Sequence, residues 1–240
     1  MAPVYRALKA RPDDFTVSLC LTAQHRELLD QVISAFSMDV DHDLNLMRPD
    51  QSIFDVTNAV LGAMKEVYDK AQPDVVLVHG DTFSTLLGAL AGRLAGLRVA
   101  HVEAGLRSFH LLHPFPEELT RLLTFRLADV AYAPGAWACE NLQRYRRLQV
   151  VDTGANTLLD AVRIAVDAPP PETEAPEEPY CVASIHRFEN IFNRRRLEAV
   201  VGLLERAAAR YRVVLVLHPA TRNRLTETGL LERLESNPAF

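Results

Sequence analysis

An alternation runs along the whole chain: short apolar runs of strand length are separated by stretches in which apolar residues recur every three or four positions. The run Val75-Val76-Leu77-Val78 is apolar at every position, which suits a strand covered on both faces and not one with a wet side. Across 50–70, by contrast, Ile53, Val56, Val60, Met64 and Val67 recur at helical steps. The pattern predicts helices over 1–9, 24–36, 50–70, 83–95, 117–127, 136–145 and 157–166, and strands over 15–22, 40–46, 74–78, 98–102, 130–133 and 149–151. Further on it predicts strands over 180–183 and 212–217 and helices over 194–210 and 223–234. Strands and helices in strict alternation build βαβ crossovers, so the expected class is α/β with parallel sheets.

The alternation is interrupted once. Residues 169–179 hold Pro169, Pro170, Pro171, Pro176 and Pro179 among acids, without any hydrophobic period, and read as a linker. They divide a first domain, 1–168, from a second, 180–240. Two strands make an incomplete sheet, so the second domain is expected to be truncated. The first opens directly on a helix, whereas a doubly wound domain begins with a central strand whose turn presents amides to a phosphate. That opening strand is expected to be missing.

Composition removes several partners. Lys and Arg number 26 against 31 Asp and Glu, a formal charge of −5, with no basic stripe, so counterion release has no source and nucleic acid is not an expected partner. Apolar runs stop well short of the ~18 residues a membrane span needs, and no membrane insertion is expected. The first residues lack the apolar core of a secretory signal. Cys20, Cys139 and Cys181 are odd in number and far apart, as in a protein with reduced thiols. A cytoplasmic location is the expectation.

Ligands of open α/β sheets sit beyond the carboxyl ends of the strands. Four of the eight histidines fall there: His79 in His79-Gly80-Asp81-Thr82, His101 before Glu103-Ala104-Gly105-Leu106-Arg107, His186 before Arg187, and His218 before Pro219. Each has a purely structural alternative. Asp81 or Thr82 suits the cap of the helix at 83, and Glu117 and Glu118 after Pro116 suit a helix start. His186 and His218 suit satisfied sheet-end histidines, and Arg107 and Arg187 suit surface or structural roles. Glu103 has no helix to cap at once. No metal site is expected, because His-x-x-x-His and Cys-x-x-Cys pairs are absent and His110 and His113 have no obvious third ligand. Gly-x-Ser-x-Gly, Gly-x-Gly-x-x-Gly and Walker loops are absent too.

Taken together, Val78-His79-Gly80-Asp81-Thr82, His101-Val102-Glu103-Ala104-Gly105-Leu106-Arg107, Pro114-Phe115-Pro116-Glu117-Glu118 and His186-Arg187-Phe188-Glu189-Asn190 resemble the non-hydrolysing UDP-N-acetylglucosamine 2-epimerases. Thr22-Ala23-Gln24-His25-Arg26 and Gly154-Ala155-Asn156-Thr157 extend the resemblance over essentially the whole chain. It implies two Rossmann-like domains of the GT-B kind, no cofactor, a UDP-sugar substrate and a homodimer. It implies inversion at C2 of a UDP-2-acetamido sugar (UDP-GlcNAc to UDP-ManNAc), by loss of UDP to a 2-acetamidoglycal and re-addition. On the matching positions Asp81, Glu103 and Glu117 are the acidic trio and His186 the histidine at the diphosphate. Arg107, Arg187 and His218 are the implied electrostatic and substrate contacts.

Departures accompany the resemblance. The family's Gly-Thr-Arg-Pro-Glu turn is expected before Met1, and its Ser-Gly-Gly segment and a uridine-diphosphate-binding glutamate after the last residue. Phe188 stands where a second arginine is usual, which leaves a related UDP-2-acetamido or diacetamido sugar open. A second UDP-sugar site would use Gln24, but Glu27 and Asp50 replace its second glutamine and its arginine. A hydrolytic relative releasing the free sugar, or an inactive fragment that keeps the nucleotide-sugar fold, are the alternatives.

Overall fold

A computed structural model describes residues 1–22, 26–46, 51–168 and 176–240, apart from the side chains of 26–28 and 188. The chain divides into two compact units, Met1–Pro169 and Pro170–Phe240.

In the first unit the elements run α1 (Ala2–Lys9), β1 (Cys20–Leu21), α2 (Arg26–Ala35), β2 (His42–Asp43), α3 (Ile53–Ala71), β3 (Val75–His79), α4 (Phe83–Leu94) and β4 (Arg98–Val102). They continue with α5 (Glu117–Leu127), β5 (Val130–Ala133), α6 (Ala136–Leu142), β6 (Gln149–Asp152) and α7 (Thr157–Asp167). Strands β3-β4-β5-β6 form one parallel sheet in that order, and β1 pairs with β2 in a separate parallel pair.

The sheet is held by small residues that let helices approach closely. Gly92 of α4 lies so near β4 that a Cβ there would sit 3.0 Å from Val99 Cγ2. Val78, Ala89, Val99, Ala104, Phe125 and Ala131 fill the core beside it, and Val60, Met64, Val67, Leu87 and Ala91 bind α3 to α4. Of the expected apolar face of α3, Val60, Met64 and Val67 are buried and Val56 partly so, whereas Ile53 in the first turn is exposed. Its start shifts to Ile53 because Ser52 and Asp55 form a reciprocal capping box, Ser52 Oγ accepting from the Asp55 N–H at 3.2 Å and the Asp55 carboxylate from the Ser52 N–H at 3.1 Å.

The strands expected over 15–22 and 40–46 shrink to the two-residue β1 and β2. An apolar run becomes ladder only where a neighbour supplies partners. Here the Leu19 N–H bonds instead to the Asp41 carboxylate at 2.7 Å, and Phe15 is exposed.

The second unit holds β7 (Tyr180–Ser184), α8 (Phe188–Ile191), α9 (Arg194–Ala208), β8 (Arg212–Val216), α10 (Pro219–Glu227) and α11 (Leu230–Glu235). Its two strands pair in parallel, and Leu197 and Val201 of α9 pack on Leu225, Leu230 and Leu234. The single helix expected over 223–234 is two, because Gly229 takes φ 70° between α10 and α11. The short α8 was not anticipated.

Candidate active site

The register of the first sheet decides which residues meet. Val78 lies opposite His101 and His79 opposite Val102, so Gly80-Asp81 and Glu103-Ala104-Gly105 leave the sheet at the same end. Two glycines make these turns. Gly80 takes φ 74° and donates its N–H to the Val102 carbonyl at 3.1 Å. Gly105 takes φ 89°, and a Cβ there would land on the Ala138 carbonyl of α6.

His101 pins the first turn from beneath. Its ring is 1% exposed and stacks against Phe125, with Nε2 2.7 Å from the Gly80 carbonyl. Burial pushes its imidazole down to about 4, outweighing that hydrogen bond, so it is neutral and its Nε2–H is the donor to a group that can only accept.

Glu103 carries a strained backbone. A glutamate at φ 60° occupies the left-handed region that side chains avoid, a conformation that persists only where its surroundings impose it. Two groups receive its carboxylate: His79 Nε2 lies 3.0 Å from Oε1, and the Thr157 hydroxyl donates to the same oxygen. The histidine contact is the main cause that holds the Glu103 carboxyl down at about 2. Partial burial opposes it, and Thr157 and Asn156 assist. Asn156 caps α7, accepting the Leu158 N–H at 2.8 Å, so the cap places Thr157 in the first turn.

A second network spans forty positions of sequence. Glu118 is 0% exposed and accepts from Arg107 Nε, from Arg121 Nη1 at 3.2 Å and from the Ser108 N–H at 2.9 Å. Burial pushes its carboxyl up, and the Ser108 amide and the two guanidiniums more than offset this, holding it below the usual range. Arg121 then reaches the Asp81 carboxylate through Nη2. The Thr120 hydroxyl lies within bonding distance of the Asp81 and Glu117 carbonyls, which sets the start of α5 against the turn after β3. Glu117 is half-buried, and its Oε2 is enclosed without a hydrogen-bond partner.

The sequence candidates thus separate. Asp81, Glu103 and Glu117 lie at the strand ends and helix start of the first unit, and the cap of α4 is supplied by Thr82, not Asp81. Arg107, expected as a substrate contact, is 9% exposed with its charge committed to Glu118 and its guanidinium over the Phe109 ring. His218, expected likewise, caps α10, with Nδ1 accepting from the Ala220 N–H at 3.3 Å. His186 and Arg187 are exposed after β7 in the second unit. Gln24 and Asp50 lie outside the described residues. Sequence reasoning missed Arg121, although its spacing of three and four from Glu118 and Glu117 puts it on their helix face. It also missed the partnership of His79 and Thr157, which are 78 positions apart. Among the described residues no three metal-binding side chains gather.

Parallel strands whose carboxyl ends present carboxylates, each in a different environment, define a Rossmann-like α/β protein with a cluster of acidic side chains at the strand ends. The family model for UDP-N-acetylglucosamine 2-epimerase matches residues 6–239, and the chain belongs to that family. It is 45% identical over 164 residues to the UDP-N-acetylglucosamine 2-epimerase of Yersinia pestis, covering 68% of this chain and 43% of the relative. With that of Bacillus subtilis it shares 35% over 227 residues, 93% of this chain and 59% of the relative. The crystal structure of UDP-GlcNAc 2-epimerase from Neisseria meningitidis bound to UDP-GlcNAc superposes with a TM-score of 0.81 at 31% identity, covering 99% of this chain and 66% of that one. The fold class is accordingly α/β with Rossmann-like domains of the GT-B kind. The chain spans about half the length of the curated relatives it matches.

Proposed function

We propose that the chain serves UDP-sugar 2-epimerisation, inverting C2 of UDP-N-acetylglucosamine to the manno epimer by elimination of UDP to a 2-acetamidoglycal and re-addition. The C2 proton is not next to a carbonyl, so it is not acidic enough to leave without departure of the diphosphate at C1. Such chemistry needs one group to take the C2 proton and another to return one from the opposite face. The observation that supports this reading is the set of three carboxylates at one end of the first sheet, each differently partnered: Glu103 with His79 and Thr157, Asp81 with Arg121, and Glu117 with an enclosed, unpartnered oxygen. Environments that differ in this way let neighbouring carboxyl groups take opposite proton-transfer roles.

In this reading Asp81, Glu103 and Glu117 act on the sugar, and His186 and Arg187 face the diphosphate, whose departing charge needs cationic donors. The protein works in the cytoplasm as a homodimer, needs no resident cofactor and supplies bacterial polysaccharide synthesis. Among the described residues no helix is long and apolar enough to cross a membrane.

The test is product analysis after incubation with UDP-GlcNAc in deuterium oxide. UDP-ManNAc carrying one deuterium at C2 supports the reading. Free N-acetylmannosamine with UDP supports the hydrolytic alternative, and bound but unchanged UDP-GlcNAc supports a non-catalytic one.

A further inference from the structure

The proton-transfer groups of the site are not equivalent, and the difference lies in what each is bonded to. Asp81 and Glu118 are tied to guanidiniums, which stay charged through any cycle. Glu103 alone is bonded to an imidazole, 3.0 Å away, and to a hydroxyl on the same oxygen. These partners come from the end of β3 and the first turn of α7, far apart in sequence. The backbone of Glu103 is held in a left-handed conformation between them.

We propose that His79 is a positioning residue for proton transfer at C2: with Thr157 it holds the Glu103 carboxylate as an anion at the end of β4, so that Glu103 enters the cycle as the base. This rests on the epimerase reading above. The Glu103 carboxylate takes the C2 proton, the C2–H electron pair becomes the C1–C2 double bond, and the C1–O pair leaves with UDP. His79 touches no reacting atom and acts through Glu103 alone. The arrangement also gives a role to Gly154-Ala155-Asn156-Thr157, whose cap orients the Thr157 hydroxyl.

The titratable groups beside Glu103 are His79 and the neutral His101. Of these, His79 makes the direct bond. Removing it takes away the main cause that keeps the Glu103 carboxyl low, while burial continues to push upward.

The experiment follows the side-chain carboxyl carbon of Glu103 by NMR in the whole chain, labelled at glutamate and assigned with Glu103→Gln. Wild-type Glu103 is expected to keep its carboxylate shift down to ~pH 4, below the usual range for a free glutamate. His79→Leu is expected to raise the midpoint by ~1 pH unit or more, since it removes the side-chain hydrogen bond that is the main cause of the low value. His79→Gln, which keeps a neutral donor near the Nε2 position, should fall between the two. Thr157→Val should raise the midpoint by a smaller amount, and Thr157→Ser should restore it. Trp137 fluorescence, unchanged in each variant, establishes that the first unit is folded. A midpoint in both His79 variants that matches wild type would overturn the proposal. In turnover near neutral pH, where the Glu103 carboxyl is ionised with or without His79, His79→Leu should lower kcat ~10-fold or more with KM within about twofold, because the carboxylate loses the partner that orients it. The NMR result stands whether or not the chain turns over UDP-GlcNAc, so loss of the epimerase reading and loss of the His79 role are told apart.

Discussion

Glu118→Gln is the substitution for which the structure makes the sharpest demand. The side chain is wholly enclosed, it receives two guanidiniums and a backbone amide, and one of those guanidiniums also binds Asp81. Glutamine keeps the shape and one acceptor, but it turns an N–H toward an arginine and removes the carboxylate that balances Arg107. Breaking a buried pair by removing one partner costs ~3–5 kcal/mol, most of it from the charge left behind. Urea unfolding measures this directly, because the chain has a single tryptophan, Trp137 in α6 of the first unit, whose fluorescence reports that unit. With a slope of ~1–3 kcal/mol per molar urea, the midpoint should fall by ~1 M or more. The neighbouring Glu117→Gln should change stability by less than ~0.5 kcal/mol, since the enclosed Glu117 oxygen has no partner to lose. A midpoint for Glu118→Gln within ~0.3 M of wild type would refute the buried network as a source of stability.

Acidification should weaken the first unit in two stages. His101 is held at about 4 in the fold, so the unfolded chain takes up its proton first below ~6.5 and ~3 kcal/mol is lost between ~6.5 and 4. His101→Gln, which keeps a donor for the Gly80 carbonyl, should flatten that slope in chemical denaturation at stepped pH. The Glu103 contribution is complete above ~4.5 and drains away as the pH falls toward about 2. Gly105→Ala should prevent stable folding of the first unit, because the added methyl collides with the Ala138 carbonyl and the φ of 89° is strained for alanine; a thermal melt matching wild type would contradict this. Asp81→Asn and Glu117→Gln should each lower epimerisation ~10²–10⁴-fold, read as loss of deuterium incorporation at C2; near-normal rates would leave both as structural acids.

The local physics of this chain is legible in its sequence. Periodicity identified α3, α4 and α5 and the strands β3, β4 and β5, because a helix face or a doubly covered strand writes its burial into steps of three, four or one. The polar residues that follow those strands were visible as candidates for the same reason, since the chain must leave the sheet where ligands bind. Local chemistry also shows Gly229 as a residue able to stop a helix, but apolar spacing on both sides hid the break between α10 and α11.

What tertiary structure alone decided is which of the charged residues are spent on one another. Arg107 and Arg187 look alike as sequence, yet one is enclosed against Glu118 and the other is exposed. Glu117 and Glu118 are adjacent, yet helix geometry turns one into a buried ion network and leaves the other with an unpartnered oxygen. His79, Glu103 and Thr157 meet because the register of β3 on β4 and the cap of α7 bring them together. Periodicity extends over a few residues, whereas an ion pair forms wherever sheet register and helix packing carry its partners: Glu103 meets His79 across 24 positions and Asp81 meets Arg121 across 40.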